Sequence, residues 1–186
     1  APHLLERLAA EQPGQRIQTS VRQALQRQTQ ALVNRYAREY SSNHIYNLAA
    51  IVADVETGEV LAYAGNATYP ADERRGNQVD IITSPRSTGS ILKPFLYAGM
   101  LHDGLLLPSM LVSDVPLNIN GFSPHNYNKT FYGAVPAHVA IERSLNVPLV
   151  RMLSQYNTGR FMSLLKSWGM TTLRFSEEHY GASLIL

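Results

Sequence analysis

The chain has no cysteine among its 186 residues. Disulfides and thiolate-held metals are therefore excluded, although the compartment stays undecided, because exported and cytoplasmic proteins alike can do without cysteine. No apolar run reaches the roughly 20 residues that a membrane-spanning helix needs. No signal peptide is visible, and the first residue is alanine rather than methionine. The six histidines are scattered, with no His-x-x-x-His or Glu-x-x-His pair, which argues against a metal site. Charge is sparse and balanced, with 16 Lys and Arg against 14 Asp and Glu and no dense basic block. A net charge of +2 gives no electrostatic grip on nucleic acid. Internal repeats and low-complexity segments are also missing.

What is present suits one domain of ordinary size, or a large piece of one, with 45% apolar residues to build a core. The chain stops inside the apolar stretch Ala182-Ser183-Leu184-Ile185-Leu186. Together with the missing methionine, this leads us to expect cuts in a longer polypeptide at both ends.

Residues 1–18 read as a short helix and a turn at Gln12-Pro13-Gly14. Thr19 or Ser20 is the expected cap of a helix running to about Tyr40, with Val21, Leu25, Leu32, Val33, Tyr36 and Tyr40 on its apolar face and a solvated face rich in Gln and Arg. The runs Ile45–Ala53 and Val60–Ala64 flank Asp54-Val55-Glu56-Thr57-Gly58-Glu59 and predict a β-hairpin. The first strand is apolar on both faces and is expected to be buried on both. Asp54 and Glu56 are read as turn chemistry rather than as an acid/base pair. Residues 66–85, which contain Asp72-Glu73-Arg74-Arg75-Gly76-Asn77, read as a surface loop. A helix is predicted over Ile91–His102, stopped by Gly104. Residues 107–124 read as irregular. Further helices are predicted over about Pro136–Leu145, Leu149–Tyr156 and Phe161–Trp168, with Pro148 forcing a kink or turn between the first two.

The chemistry concentrates in Arg86-Ser87-Thr88-Gly89-Ser90-Ile91-Leu92-Lys93-Pro94. Ser90 and Lys93 stand three apart where a loop becomes a helix, so the amine can approach the hydroxyl on one face. A serine is a weak nucleophile until a base takes its proton, and a desolvated lysine can be that base. No Asp or Glu lies within the neighbouring turns to hold Lys93 in its charged form. Pro94 is tolerated only in the first helical turn, so Ser90 falls at the very start of the helix or in a distorted turn before it. The same Ser-x-x-Lys spacing at Ser163 and Lys166 sits inside a plain amphipathic helix and is discounted. A second element is Ser144-Leu145-Asn146. There a hydroxyl and an amide on a turn between helices can together relay a proton and hold a peptide-like substrate. The similar Ser41-Ser42-Asn43 is read as a cap or turn.

The order of these elements carries a resemblance. Glu56-Thr57-Gly58-Glu59 is followed by Ser87-Thr88-Gly89-Ser90-x-x-Lys93-Pro94, then Asn126-Tyr127-Asn128 and Tyr132-Gly133. Ser144-Leu145-Asn146-x-Pro148 comes last, some fifty residues beyond Ser90. From about Tyr46 to Leu186 the chain resembles the transpeptidase domain of a class A (bifunctional) penicillin-binding protein, most like the 1C branch, and Ser-x-x-Lys opens that signature. The start, Ala1-Pro2-His3, is similar to the junction that follows the family's glycosyltransferase domain. The resemblance implies an α/β fold of the α+β type, with helices packed on a mostly antiparallel sheet only part of which this chain encodes. Residues 1–44 would be a linker and N-terminal helix, and 45–186 the N-terminal part of the transpeptidase domain.

It further implies that Ser90 attacks a D-Ala-D-Ala stem peptide to form an acyl-enzyme. Lys93 would serve as its base, Ser144 as proton shuttle, and Asn146 and Gly89 as substrate-binding positions. The acyl group would pass to an amine of a neighbouring stem peptide, cross-linking peptidoglycan, and β-lactams would acylate Ser90 in the peptide's place. Neither a cofactor nor a metal is implied. The parent protein would work on the periplasmic face of the bacterial inner membrane, anchored by a segment absent from this chain.

The family's third motif, Lys-Ser/Thr-Gly, is not found. Asn157-Thr158-Gly159 lacks the lysine, and Lys129-Thr130-Phe131 lacks the glycine and precedes Ser144. Truncation is the expected reason. Losing one oxyanion donor costs on the order of 10²–10³ in rate, so weak or no turnover is expected of this chain alone. Rival readings are a D,D-carboxypeptidase or β-lactamase, in which water accepts the acyl group, and a non-catalytic β-lactam sensor or scaffold.

Overall fold

The computed structural model describes residues 1–68 and 73–186. Asp72, part of the polar loop noted above, lies outside them. The chain divides into two compact units, residues 1–85 and 86–186.

The first unit opens with helix α1 (Pro2–Glu11), whose Pro2 stands in the first turn, where the missing N–H is no loss. Helix α2 (Gln23–Glu39) follows, then strands β1 (Ala50–Ala53) and β2 (Val60–Ala64). The strands pair antiparallel, Ala50 opposite Ala64 and Ala53 opposite Val60, with an irregularity between Val52 and Ala53. The predicted hairpin is therefore present, although β1 starts five residues later than the apolar run. Turn chemistry explains Asp54: its Oδ1 accepts from the N–H groups of Glu56 and Thr57 and from the Thr57 hydroxyl. The Thr57 N–H leads in holding that carboxyl below its ordinary value.

Four expectations for this unit are corrected. First, α2 starts at Gln23 rather than at Thr19 or Ser20. The Ser20 hydroxyl instead donates to Val60 O at 2.8 Å, and the Arg22 N–H donates to Leu61 O at 2.9 Å. These residues run along β2 rather than capping the helix. Second, the buried stripe of α2 is Gln26, Thr29, Val33 and Ala37, whereas Leu32, Tyr36 and Tyr40 are exposed. Gln26 donates to Tyr63 O at 3.0 Å and accepts from Tyr63 N at 2.8 Å, so a glutamine side chain supplies β2 with both bonds of a missing strand neighbour. Gln30 donates to Asn66 O, so the glutamine face is not simply solvated. Third, β1 is only half-buried, with Ile51 turned out, and β2 is the buried strand because α2 packs against it. The segment read as a surface loop is also partly internal: Asn66 is fully buried, and Asn77 is buried with its amide on Ala67 O.

The second unit begins with a 3₁₀ turn (Gly89–Leu92) that runs straight into helix α3 (Lys93–His102). Strand β3 (Leu111–Asp114) pairs antiparallel with β4 (Gly133–Pro136), Asp114 opposite Gly133. These strands correct the irregular reading of residues 107–124 and the helix start at Pro136. Each is only four residues long and too short to show alternation, and their separation hides a hairpin signal. Helices α4 (Ala137–Glu142), α5 (Asn146–Tyr156), α6 (Thr158–Ser167) and α7 (Glu177–Tyr180) and a closing 3₁₀ turn (Gly181–Ile185) complete the unit. Pro148 stands in the first turn of α5, so the break between helices falls earlier, at Ser144. Leu96, Met100, Leu149, Leu153, Phe161, Leu165 and Ile185 form one buried cluster that fixes α3, α5 and α6 against each other. Burying such side chains contributes about 1.5–3 kcal/mol each. That rigid cluster carries the site. Among the described residues, no helix is long and apolar enough to cross a membrane.

Candidate active site

Gly89 opens the 3₁₀ turn with φ +53, a conformation that favours glycine, and a Cβ there would meet nothing within 4 Å. The glycine is therefore demanded by backbone shape, not by crowding. Ser90 comes next, exposed, and its hydroxyl bonds to no other group among the described residues. Pro94 stands in the first turn of α3, as the sequence required. The distorted turn before the helix is thus where the serine lies.

Lys93 has the opposite surroundings. It is 1% exposed. Its Nζ donates to Ser144 O at 2.8 Å, Ser144 Oγ at 3.1 Å and Asn146 Oδ1 at 2.6 Å. Burial pushes its pKa down from the ordinary 10.5 to about 8. Desolvation penalises the ammonium, and the groups that meet it are neutral. The amine is therefore engaged with the second motif, and no hydrogen bond joins it to Ser90.

The Ser144 turn follows from how α4 ends. Ser144 N donates to Ile141 O and Leu145 N to Ala140 O, the paired closing bonds of a helix whose next residue is left-handed. Ser144 takes that left-handed place with φ 50, where glycine or asparagine is usual. Buried Leu145 then pins the chain, and α5 begins at Asn146. The result turns the Ser144 carbonyl and hydroxyl and the Asn146 amide toward one lysine. The Asn146 Nδ2 is fixed in turn by donating to His125 O at 2.8 Å.

Two residues behind this turn carried no role in the sequence reading. Asn126 Oδ1 accepts from Asn146 N at 2.9 Å and Val147 N at 3.2 Å, capping α5 from a distant segment. Its Nδ2 donates to both oxygens of the Asp114 carboxylate and to Thr130 O. Asn126 belongs to the Asn-Tyr-Asn element of the resemblance, but Asp114 ends a strand that the sequence did not reveal.

The discounted copies stay apart. Ser163 is exposed on α6 and donates to Gly159 O, and Lys166 is exposed as well. Ser41 and Ser42 close the end of α2 through Arg38 O and Glu39 O. Asn157 caps α6, its side chain accepting from Arg160 N.

The buried Lys93 thus brings the Ser-x-x-Lys and Ser-x-Asn elements together. Residues 48–183 match the family model of the penicillin binding protein transpeptidase domain. The chain belongs to that family, and within it to the class A penicillin-binding proteins. It is 32% identical over 170 residues to penicillin-binding protein 1C of Escherichia coli K12, which covers 91% of this chain and 22% of that protein. To penicillin-binding protein 1B of Vibrio cholerae it is 30% identical over 110 residues, 56% of this chain and 14% of the other. Among solved structures, the penicillin-binding protein PonA1 of Mycobacterium tuberculosis aligns with the whole chain at a TM-score of 0.75 and 20% identity. The chain covers 52% of that structure and so spans about half of it. PonA1 in complex with penicillin V aligns at 0.65, with 19% identity, over 98% of this chain and 50% of that one. The fold is the penicillin-binding-protein transpeptidase fold, with mixed helices and antiparallel strands.

Proposed function

We propose that this domain is the acylating part of a serine D,D-transpeptidase that cross-links peptidoglycan stem peptides through an acyl-enzyme on Ser90. The single observation that carries this reading is the buried, desolvated Lys93, which joins the Ser144–Asn146 turn within one helical turn of an exposed, unengaged serine. The neutral amine of Lys93 takes the Ser90 proton as Ser90 Oγ forms a bond to the penultimate D-alanine carbonyl carbon. The peptide C–N bond breaks, and the terminal D-alanine amine leaves with a proton relayed by Ser144 Oγ from Lys93. Asn146 and the Gly89 backbone hold the peptide. An amine of a second stem peptide then attacks the ester, and Ser90 recovers its proton. With a β-lactam the lactam C–N bond breaks instead, the ring nitrogen takes the proton, and no group is expelled. Periplasmic placement of a membrane-anchored parent follows from where such peptides lie.

Intact-mass spectrometry after exposure to a penicillin tests this. One adduct of the full mass of the penicillin is expected on the parent chain and on Ser163→Ala, and none on Ser90→Ala. An adduct that survives Ser90→Ala would sink the assignment. Release of the adduct as ring-opened acid would favour water as the acyl acceptor.

A further inference from the structure

The buried pair Asp114 and Asn126 lies outside the four side chains to which the mechanism assigns chemistry. Asp114 is 0% exposed and Asn126 is 3% exposed. A buried carboxylate is costly unless its oxygens are met by donors. Here the Asn126 amide meets both oxygens, at 2.9 and 3.0 Å, and the Tyr132 N–H meets Oδ2 at 2.9 Å. A carboxylate only accepts, whereas an amide has one accepting and one donating end. Asp114 therefore dictates which end of Asn126 it faces. The donating end points to Asp114 and the accepting end to the N–H groups of Asn146 and Val147. Those two donors open α5, which has no capping side chain of its own, so the borrowed oxygen satisfies them. Asn146 is then held with its own side-chain oxygen on Lys93.

We propose that Asp114 and Asn126 are positioning residues of the acylating site: the carboxylate orients the Asn126 amide, and that amide caps and fixes the turn on which Ser144 and Asn146 meet Lys93. This deepens the reading above, since the turn is taken as part of the acylating machinery. With the pair broken, the turn loosens and water reaches the Lys93 amine. Ser144 and Asn146, which meet Nζ, are neutral, and Asp114 connects to Nζ through Asn126 and Asn146.

The chain has three lysines, Lys93, Lys129 and Lys166. Their 13Cε signals can be titrated by NMR in the parent, Asp114→Asn, Asn126→Ala and the double variant, with Lys93 assigned through Lys93→Arg. In Asp114→Asn and in Asn126→Ala the Lys93 midpoint is expected to rise by about one unit, as desolvation is relieved. That leaves about tenfold less neutral amine at pH 7. The double variant should rise no further than Asn126→Ala, because Asp114 acts through Asn126. A downward move in Asp114→Asn is the sign for a carboxylate acting on the lysine by charge alone, and it would overturn the proposal. So would an unmoved midpoint in folded variants, additive shifts, a parent midpoint at the ordinary lysine value, or loss of folding in both single variants. If only Asn126→Ala fails to fold, Asp114→Asn decides alone. The titration needs no acylation, so a parent chain that takes up no penicillin at Ser90 would refute the functional reading and leave this test standing.

Discussion

Lys93 Nζ lies 2.6 Å from Asn146 Oδ1, and the same amine also reaches the carbonyl and the hydroxyl of Ser144. An ammonium has three N–H donors and meets three acceptors here, so the arrangement is that of the charged lysine. Loss of one proton frees a lone pair. Of the three partners only the Ser144 hydroxyl can turn and donate in its place, and the proposed proton relay rests on it. Under the proposed function, Lys93 would have to lose one proton before it could act as the base for Ser90.

The rate of Ser90 acylation should therefore follow the neutral form of Lys93. Well below pH 8 it is expected to rise tenfold per unit, levelling off above the midpoint of about 8. Lys93→Arg should remove this limb together with the activity, because a guanidinium stays charged throughout. Stopped-time adduct formation with a penicillin between pH 6 and 9.5 measures both. A flat profile across that range would exclude Lys93 as the base.

The same group sets a stability trend. Its folded pKa, about 8, is below its ordinary value of 10.5, so between these values the unfolded chain binds more protons than the folded one. Stability then rises with pH across that window, and the full penalty remains below pH 8. The penalty is about 3 kcal/mol at most. Above pH 10, Tyr63 works the other way, since burial first and the Asp80 hydrogen bond second push its pKa up to about 12. The window from 8 to 10 is therefore the one to measure. Urea unfolding there should show a positive slope in the parent and a reduced one in Lys93→Met.

The elements that were legible in the sequence are those whose reasons are local. Gly89 permits the left-handed backbone that opens the turn and Pro94 is confined to the first helical turn, and together they placed Ser90 in a turn ahead of a helix. Asp54 and Gly58 did the same for the β1–β2 turn. What was not legible depends on partners far along the chain. Four-residue strands such as β3 carry no period, so Asp114 at its end was invisible. Gln26 looked like a solvent-facing residue because periodicity scores it as polar, yet it completes the edge of β2. The turn at Ser144 was expected, but the start of α5 was placed too late, at Leu149 instead of Asn146, because Pro148 is the louder signal.

Gln26 gives a prediction of its own. Gln26→Ala leaves Tyr63 N and Tyr63 O without their side-chain partners at a buried edge. Each unmet buried group costs about 1–3 kcal/mol. We expect Gln26→Ala to destabilise the first unit by about 2 kcal/mol or more, and Gln26→Glu to lose the Tyr63 O bond while keeping the one from Tyr63 N. Gln28→Ala, the same substitution at an exposed position of the same helix, serves as control. Equal thermal stability of Gln26→Ala and Gln28→Ala would refute this reading of the face.

Ser144 separates stability from chemistry. Its φ of 50 places an ordinary L-residue in the left-handed region, at a cost of about 1–2 kcal/mol. Backbone strain at a site persists when the surroundings enforce it and the side chain is needed there. Ser144→Gly relieves the strain but deletes the hydroxyl. Ser144→Ala deletes the hydroxyl and keeps the strain. Both variants should lose acylation to a similar degree, since both lose the one partner of Lys93 that can accept and donate. Only Ser144→Gly should be as stable as the parent or more so, and Ser144→Ala should fall below it. Thermal unfolding read beside the penicillin adduct rate distinguishes the two effects. If Ser144→Gly kept the parental acylation rate, the proton relay would have to be assigned elsewhere, and the strained turn would be left with a purely positional reason for its serine.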